Sequence, residues 1–358
     1  MTLRLVLLVA ALVVSACTLR PGPEVLIPDI APLPEGARSL RVLTVTTRGA
    51  EADAPEAFDA TRGSSPIWLD YDISVPPGHQ AGKIEWPGHE NDAAKNFTLR
   101  SRTPMSRTGF AREVSGGRVG IYIHGFNTRY QEALFRTAQL SADAHLEGMP
   151  ILFTWPSEGH VAAYLADRDA SDFSRAALAD VLGMVTKGRR SSDPVPVLAH
   201  SMGARLVMEV LVQLRLAGRG DVLDRIDLVL AAPDIDIDLF RAQMATVGKL
   251  NHPITVLVSP NDPALKLSSR LAARRMRLGL ANVHDPAIQR LALETGTRIV
   301  DVTGLATDDP VHSRYIGLIS GEAGIGTENP FTGMSHVGAF IFNQVGGVFQ
   351  GIGNALGG

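Results

Sequence analysis

Residues 195–203 read V-P-V-L-A-H-S-M-G, and this stretch decides the predicted fold class. An apolar run ends at Ala199 and is followed at once by His-Ser-Met-Gly and a helical pattern. So tight a turn between a strand and a helix needs small residues two positions before and two after its central serine, and Ala199 and Gly203 satisfy this need. The stretch predicts that Ser201 is a nucleophile presented on a sharp turn; the alternative is a serine that only caps the helix.

On either side of this stretch, β-branched runs alternate with amphipathic helical stretches. That alternation predicts an α/β fold with a mostly parallel sheet and helices on both faces. Eight strands are predicted at residues 40–47, 67–75, 118–123, 150–155, 194–199, 226–231, 254–259 and 298–302. Helices are predicted from Thr128 onward, over 169–186 and over 202–216. Residues 47–66 and 76–107 are interpreted as long loops because they are rich in Gly, Pro, Asp and Arg.

The loop after the predicted strand 118–123 reads H-G-F-N at residues 124–127. Beside a nucleophile turn, a loop in this position supplies one backbone N–H of an oxyanion hole. We expect the N–H groups of Phe126 and Met202 to be the two donors, with Gly125 allowing a close approach to the substrate. The predicted substrate pocket is lined by His124, Gly125, Trp155 and Ser157.

A carboxylate and a histidine follow in the chain order that such a turn requires, which is Ser, then Asp or Glu, then His. Asp262 follows the predicted strand 254–259, and His312 lies in the loop after the strand 298–302. The carboxyl ends of parallel strands meet at one edge of a sheet, so Ser201, Asp262 and His312 are predicted to meet there as a catalytic triad. Asp234 as the acid and His336 as the base preserve the same order and remain alternatives.

The two alternatives are weaker for physical reasons. Asp234 opens an alternating run of three aspartates that would repel one another beside an imidazole, and the run lacks the glycine and glutamate of a calcium loop. We interpret the run as a solvated turn without metal. His336 lies beyond the last predicted strand in a glycine-rich tail, whereas a catalytic base needs a rigid support. Asp262 and His312 are therefore preferred.

Four stretches together resemble one bacterial family: H-G-F-N at 124–127, F-T-W-P-S at 153–157, A-H-S-M-G at 199–203 and S-P-N-D-P-A-L at 259–265. They look like a family of α/β-hydrolases of unknown function that is esterase- or lipase-like. The similarity covers residues 40–320 and is most specific over 118–210. It implies an α/β-hydrolase fold with Ser201 as the nucleophile, and it implies little about the substrate.

These residues predict acyl transfer in two steps on a carboxylic ester. His312 would take the proton of Ser201, Asp262 would fix the imidazole tautomer, and water would cleave the acyl-enzyme without a cofactor. The expected partner is an ester or acyl compound, either a small molecule or a lipid. The chain between the strands 226–231 and 254–259 has room for one helix, so little or no lid is predicted. An acyltransferase with the same triad, or a non-catalytic envelope lipoprotein that binds a partner, remain the other possible classes.

The first seventeen residues have the pattern of an export signal. One positive charge within residues 1–4 precedes ten apolar residues at 5–14, a run too short for an ordinary membrane-spanning helix. Val14-Ser15-Ala16-Cys17 resembles the lipobox of bacterial lipoproteins, and this resemblance implies that a lipid is attached at Cys17. It further implies that the protein is anchored at the bacterial cell envelope, on the inner or the outer membrane.

Composition and segment boundaries complete the expectations. The chain has 358 residues with 34 basic and 37 acidic side chains, so no broad cationic surface is expected to bind nucleic acid. Its single cysteine excludes an internal disulfide. We predict a signal peptide at 1–16, a proline-rich spacer at 17–39 that holds the body away from the membrane, a hydrolase domain at 40–325 and a glycine-rich apolar tail at 326–358. The tail is interpreted as a frayed end, and contact with the membrane or the site mouth is its alternative.

Overall fold

The structure, a computed structural model, describes residues 20–51, 57–87, 91–145, 148–305 and 310–319. Within these ranges, nine strands form one sheet in the order β3-β2-β1-β5-β4-β6-β7-β8-β9. The strands are β1 (Arg38–Ala50), β2 (Phe58–Val75), β3 (Thr98–Met105), β4 (Val119–Ile123), β5 (Met149–Thr154), β6 (Val195–His200), β7 (Ile226–Ala231), β8 (Thr255–Val258) and β9 (Arg298–Asp301). In this spatial order, the seven strands β1-β5-β4-β6-β7-β8-β9 are all parallel to their neighbours. Strand β2 is antiparallel to both β1 and β3. The expected mostly parallel sheet is confirmed.

The described sheet contains one strand more than the eight predicted. The interpretation of residues 76–107 as a loop is wrong over β3, which forms the edge of the sheet. β3 carries Arg100, Arg102 and Pro104, and charged residues and proline are common on edge strands because they oppose further pairing. The loop predicted at 47–66 is also too long, because β1 extends to Ala50 and β2 starts at Phe58 through a bulged pairing.

Alternate residues of the central strands pack against opposite faces of the sheet, as the period of a β-strand requires. On β4, Ile121 and Ile123 belong to one buried cluster and Tyr122 to the other. On β6, Val197 and Leu198 divide in the same way. The sheet is therefore covered on both sides, and the carboxyl ends of its parallel strands share one edge.

Helices cover both faces. They are α1 (Arg107–Glu113), α2 (Tyr130–Asp143), α3 (Tyr164–Phe173), α4 (Arg175–Thr186), α5 (Met202–Leu216), α6 (Gly220–Leu223), α7 (Ile237–Val247), α8 (Pro263–Leu271), α9 (Pro286–Thr295) and α10 (Tyr315–Ile319). The single helix predicted at 169–186 is two helices, interrupted at Ser174, whose Oγ donates to the Ala170 carbonyl at 2.9 Å. The connection from β7 to β8 holds only α7, in agreement with the prediction of little or no lid.

The segment predicted as a spacer is part of the folded body from Arg20 onward. Pro23–Leu26 forms a short 3-10 helix, and Val25 and Leu26 are buried in the core. Farther along, the Asp29 N–H donates to the Leu99 carbonyl of β3 at 2.7 Å. These apolar and backbone contacts outweigh the extended tendency of the prolines, so the described part of this segment packs on the body and is not an extended spacer.

None of the helices in the described part of the chain combines the length and the hydropathy needed to cross a bilayer.

Candidate active site

Ser201 lies on the turn between β6 and α5. Its φ is 52° and its ψ is −116°, a conformation that costs free energy for any residue except glycine. A Cβ at Gly203 would lie 2.3 Å from the carbonyl oxygen of His124, so only glycine fits there. The side chain of Ser201 makes no capping hydrogen bond to α5, and the alternative of a simple helix-capping serine is thereby wrong.

The predicted oxyanion loop packs directly against this turn. A Cβ at Gly125 would lie 2.9 Å from the Cβ of Ser201 and 2.9 Å from Nδ1 of His200. Phe126 follows Gly125, and Met202 is the first residue of α5. The backbone N–H groups of both predicted donors thus belong to segments that adjoin Ser201.

Two neighbouring side chains, Asp167 and Ser157, hold the predicted oxyanion loop in place through three hydrogen bonds. Asn127 has a left-handed backbone with φ 56°, and its N–H donates to Oδ2 of Asp167 at 3.1 Å. The next N–H, that of Thr128, donates to Oγ of Ser157 at 3.0 Å. Ser157 in turn donates to Oδ2 of Asp167 at 2.6 Å, and both side chains are buried. The loop is therefore preorganised by a buried carboxylate on α3.

His312 and Asp262 are brought together, although 50 residues separate them in the chain. Nδ1 of His312 lies 2.7 Å from Oδ2 of Asp262. The other carboxylate oxygen of Asp262 accepts the N–H groups of Ala264 at 2.9 Å and Leu265 at 3.1 Å, in the first turn of α8. Asp262 is fully buried, while the side chain of His312 is 22% exposed. A buried acid thus orients a histidine that solvent can reach.

His200 links this pair to the nucleophile turn, and the sequence analysis assigned it no role. Its Nε2 donates to the carbonyl oxygen of His312 at 3.0 Å, and the two rings lie 4.6 Å apart. Burial and the adjacent His312 hold the pKa of His200 well below its usual value, so the ring is neutral at pH 7. A histidine at the end of an apolar strand, next to the predicted nucleophile, was the signal that could have identified it.

His124 belongs to the buried framework behind the loop. Its Nδ1 donates to the Gly125 carbonyl at 2.9 Å, and its Nε2 accepts from the Thr154 hydroxyl at 2.9 Å and from the Trp155 N–H at 3.2 Å. Burial, reinforced by the charge of Arg48, lowers the pKa of His124 to about 3. A neutral ring whose two nitrogens are both occupied supports the loop and is unsuited to proton transfer.

Trp155 and Ser157 also differ from their predicted place in the wall of a substrate pocket. Trp155 has no exposed surface, stacks on His124 at 4.8 Å and donates its Nε1–H to the His124 carbonyl. Ser157 is 1% exposed, and its carbonyl accepts from the buried guanidinium of Arg48 at 2.8 Å. Because their polar groups are used internally, these residues brace the loop. Of the four, Gly125 is the residue for which contact with Ser201 is seen.

Asp234, the alternative acid, is occupied elsewhere. Its carboxylate lies 3.1 Å from Nε of Arg277 and accepts from the Tyr164 hydroxyl at 2.9 Å and from the Ser268 hydroxyl. Asp234 is 3% exposed, so its interpretation as part of a solvated turn is wrong. The apolar strand β7 and the packing of α3 and α8 exclude water from it, and Arg277 balances its charge.

A cavity of 350 Å³ adjoins the histidine pair. Its lining includes Arg20, Tyr122, Thr128, Arg136, His200 and Ser313. It therefore reaches both the residue before Ser201 and the residue after His312.

In the ranges that the structure describes, no three acidic, histidine or cysteine side chains are grouped so as to hold a metal ion. Cys17, His336 and the tail predicted at 326–358 lie outside the described residues.

The sheet order, the helices on both faces and the strained serine between β6 and α5 define an α/β-hydrolase. Residues 105–318 match the family described as alpha/beta hydrolase of unknown function (DUF900). The match spans more than half of the 358 residues, and the chain belongs to this family.

Solved structures of esterases are distantly similar to the chain. Fungal esterases from Rhizomucor miehei are 12% identical with a TM-score of 0.34, covering 80% of this chain and 83% of theirs. Esterase Est22 is 13% identical with a TM-score of 0.35 over 89% of this chain and 82% of its own. Esterase B from Lactobacillus rhamnosis is 10% identical with a TM-score of 0.32 over 75% of each chain. No curated protein matches the chain.

Proposed function

We propose that this protein is a serine hydrolase of carboxylic esters that acts through Ser201, His312 and Asp262. The observation that carries the proposal is the 2.7 Å hydrogen bond between His312 and the buried Asp262, with His312 packed against His200, the residue before a serine in a strained turn. A surrounding structure that maintains such strain at a serine is typical of a functional site.

The first step is acylation. With its Nδ1–H donated to Asp262, the His312 ring presents the lone pair of Nε2 and accepts the proton of Ser201 as Oγ attacks the ester carbonyl. Asp262 stabilises the imidazolium that forms, and the first turn of α8 keeps that carboxylate from rotating. The N–H groups of Phe126 and Met202 stabilise the oxyanion, each contributing about 3 kcal/mol to the transition state.

The second step releases the acyl group. His312 gives its proton to the departing alcohol and then removes a proton from the water that attacks the acyl-enzyme. It passes that proton to Oγ of Ser201 as the bond between Oγ and the acyl carbon breaks and the carboxylic acid leaves. Partial exposure of the His312 side chain gives water access to this position. Transfer to an added alcohol in place of water would identify the acyltransferase alternative by its ester product.

The test is labelling of the protein by a fluorophosphonate probe together with turnover of an ester panel. We expect Ser201→Ala to abolish labelling and to lower kcat by about 10⁵-fold to 10⁶-fold with the fold intact. The matched control is Ser192→Ala, which replaces an exposed serine just before β6, the strand that leads to Ser201, and it should behave as wild type. Unchanged labelling in Ser201→Ala would contradict the proposal.

We further propose that the enzyme acts at the bacterial cell envelope, anchored through a lipid on Cys17. Arg20, three residues after Cys17, contacts the oxyanion loop at Asn127. Three residues span at most about 11 Å when fully extended. Anchoring at Cys17 would therefore hold the site close to the membrane surface, where an ester substrate within the lipid layer is accessible.

Metabolic labelling with a palmitate analogue tests the anchor. Cys17→Ser should lose the label because the chain has no other cysteine. Ser201→Ala should retain it, which separates anchoring from activity. Equal labelling of Cys17→Ser and the wild type would refute the anchor while leaving the hydrolase proposal intact.

A further inference from the structure

The side chain of Arg20 has an acceptor for each of its five N–H donors. Nε donates to Oε1 of Glu132 at 2.7 Å, and Nη2 donates to the other oxygen of Glu132 and to the Asn127 carbonyl at 2.8 Å. Nη1 donates to Oδ1 of Asn127 at 2.9 Å and to the Gly159 carbonyl at 2.8 Å. Five donors in a rigid planar fork are the whole hydrogen-bonding capacity of an arginine, so the orientation of this guanidinium is fully determined.

The acceptors of Arg20 belong to three segments around the active site. Asn127 directly follows Phe126, Glu132 lies in the first turn of α2, and Gly159 lies in the loop after β5. Glu132 also accepts the Arg129 N–H at 2.8 Å and so caps α2. Arg20 therefore joins the oxyanion loop to a helix terminus and to the neighbouring loop.

The two faces of the oxyanion loop are held by different parts of the chain. On one side, Asp167 and Ser157 accept the N–H groups of Asn127 and Thr128. On the other side, the carbonyl and side-chain oxygens of Asn127 both bind Arg20. The φ of Asn127 is 56°, which asparagine adopts more readily than most residues but still at some cost, so contacts on both sides help to hold it.

We propose that Arg20 is a positioning residue that holds the Phe126 N–H in the orientation required for oxyanion stabilisation. This proposal rests on the proposed function, since it presumes that Phe126 is a donor. Without Arg20, Asn127 is held from one side only, and its relaxation shifts Phe126 and with it the Gly125–Phe126 peptide that carries the proposed donor. A displacement of about 1 Å in a catalytic group lowers the rate up to about 100-fold.

The N-terminal segment that contains Arg20 keeps its other contacts with the body when the Arg20 side chain is removed. The Pro21 carbonyl accepts from Nε2 of Gln131 at 2.7 Å, and Val25 and Leu26 are each 2% exposed. Replacing Arg20 therefore tests the guanidinium itself and not the docking of the whole segment.

The experiment compares Arg20→Ala and Arg20→Lys in the full chain, with turnover of a short-chain ester and binding of a boronic acid that mimics the tetrahedral intermediate. We expect kcat to fall about 10-fold to 100-fold and KM to stay within about twofold, because the oxyanion forms only in the transition state. Affinity for the boronic acid should fall by the same factor as kcat. Lysine should not rescue, because one ammonium cannot serve the planar acceptors, whereas added guanidinium should restore part of the activity of Arg20→Ala.

Two further variants separate the effect of the Arg20 contacts on catalysis from a general effect on folding. Glu132→Gln retains an oxygen for the Arg129 N–H but loses one acceptor of Arg20, and it should show a smaller fall in kcat. Arg100→Ala is the matched control: Arg100 binds Asp29 and the Ala31 carbonyl in the same N-terminal segment, away from the oxyanion loop, and its loss should leave kcat unchanged.

Wild-type kcat and wild-type boronic-acid affinity in Arg20→Ala would overturn the proposal, as would a rise in KM alone. Activity that survives Ser201→Ala would refute the proposed function itself, and the role of Arg20 with it. Loss of activity in Ser201→Ala together with normal kinetics in Arg20→Ala would refute only the role of Arg20.

Discussion

Asp262 and Asp234 are two buried aspartates at the same edge of the sheet, and they differ in what balances their charge. Asp262 follows β8, has no exposed surface and faces His312, whose charge forms only when the ring takes a proton. Asp234 follows β7, is 3% exposed and faces Arg277, whose charge is permanent. The two aspartates are nearly the same in position and burial, but their carboxylates bind different kinds of partner.

The difference indicates which buried acid is left free to pair with a histidine. An aspartate already neutralised by a guanidinium has little further attraction to offer an imidazolium, and Asp234 also accepts from Tyr164 and Ser268. Among the described residues, the Asp262 carboxylate binds two backbone N–H groups and the ring of His312 and pairs with no arginine or lysine. The partner decides the role, and burial alone does not.

The largest expected contrast is in turnover. Asp262→Asn should lower kcat by about 10⁴-fold, because an amide no longer selects the imidazole tautomer whose Nε2 accepts the serine proton. Asp234→Asn should change kcat by less than about tenfold in the folded enzyme, since its carboxylate does not contact His312. Steady-state kinetics on one ester, with circular dichroism to confirm folding, measures both. A loss in Asp234→Asn equal to that in Asp262→Asn would make the two carboxylates equivalent and contradict the comparison.

The next contrast concerns stability. Arg277→Ala should lower the free energy of unfolding by about 3–5 kcal/mol, because it leaves the carboxylate of Asp234 buried without its cation. Arg275→Ala is the control: it removes an exposed pair with Asp238, 3.8 Å apart, and should cost less than about 1 kcal/mol. Denaturant unfolding of the three proteins gives the values. Equal losses of unfolding free energy in Arg277→Ala and Arg275→Ala would show that the buried charge of Asp234 does not depend on a cation beside it.

The smallest contrast is a titration. Burial, and then the charge of Asp234, raises the pKa of the Tyr164 phenol above its usual value of 10. The phenol therefore contributes stability that is present below pH 10 and is lost as the pH rises through the higher pKa of the folded state. Asp234→Asn should move the pKa of Tyr164 part of the way back, because burial remains, while Asp262→Asn should not move it. Phenolate absorbance measures the pKa, and the signal of Tyr164 is obtained by subtracting the absorbance of the same protein that also carries Tyr164→Phe. If the pKa of Tyr164 is the same in Asp234→Asn as in the wild type, the charge of Asp234 does not raise it.

Much of the fold could be predicted because its signals are local. The strand Ile226–Ala231 and the helix Met202–Leu216 have the bounds expected from periodicity. The edge strand Thr98–Met105 was missed because arginines and a proline interrupt its apolar pattern, and its pairing with β2 is what makes it a strand. Ser174, which divides one predicted helix into two, is likewise fixed by a contact from β1, the hydroxyl of Thr47 at 2.8 Å.

In the candidate site, too, local features could be predicted from the sequence and contacts between distant residues could not. Sequence alone determined the small-residue turn around Ser201 and the order Ser, Asp, His, because the sterics of a tight turn and the direction of parallel strands are properties of the chain itself. Only the tertiary structure decided that Asp262 rather than Asp234 meets His312, that Trp155 and Ser157 brace the loop from within, and that Arg20 clamps Asn127 from 107 residues away. Those outcomes depend on which charges and donors are brought together when the helices pack on the sheet, and pairings between distant residues leave no periodic signal in the sequence.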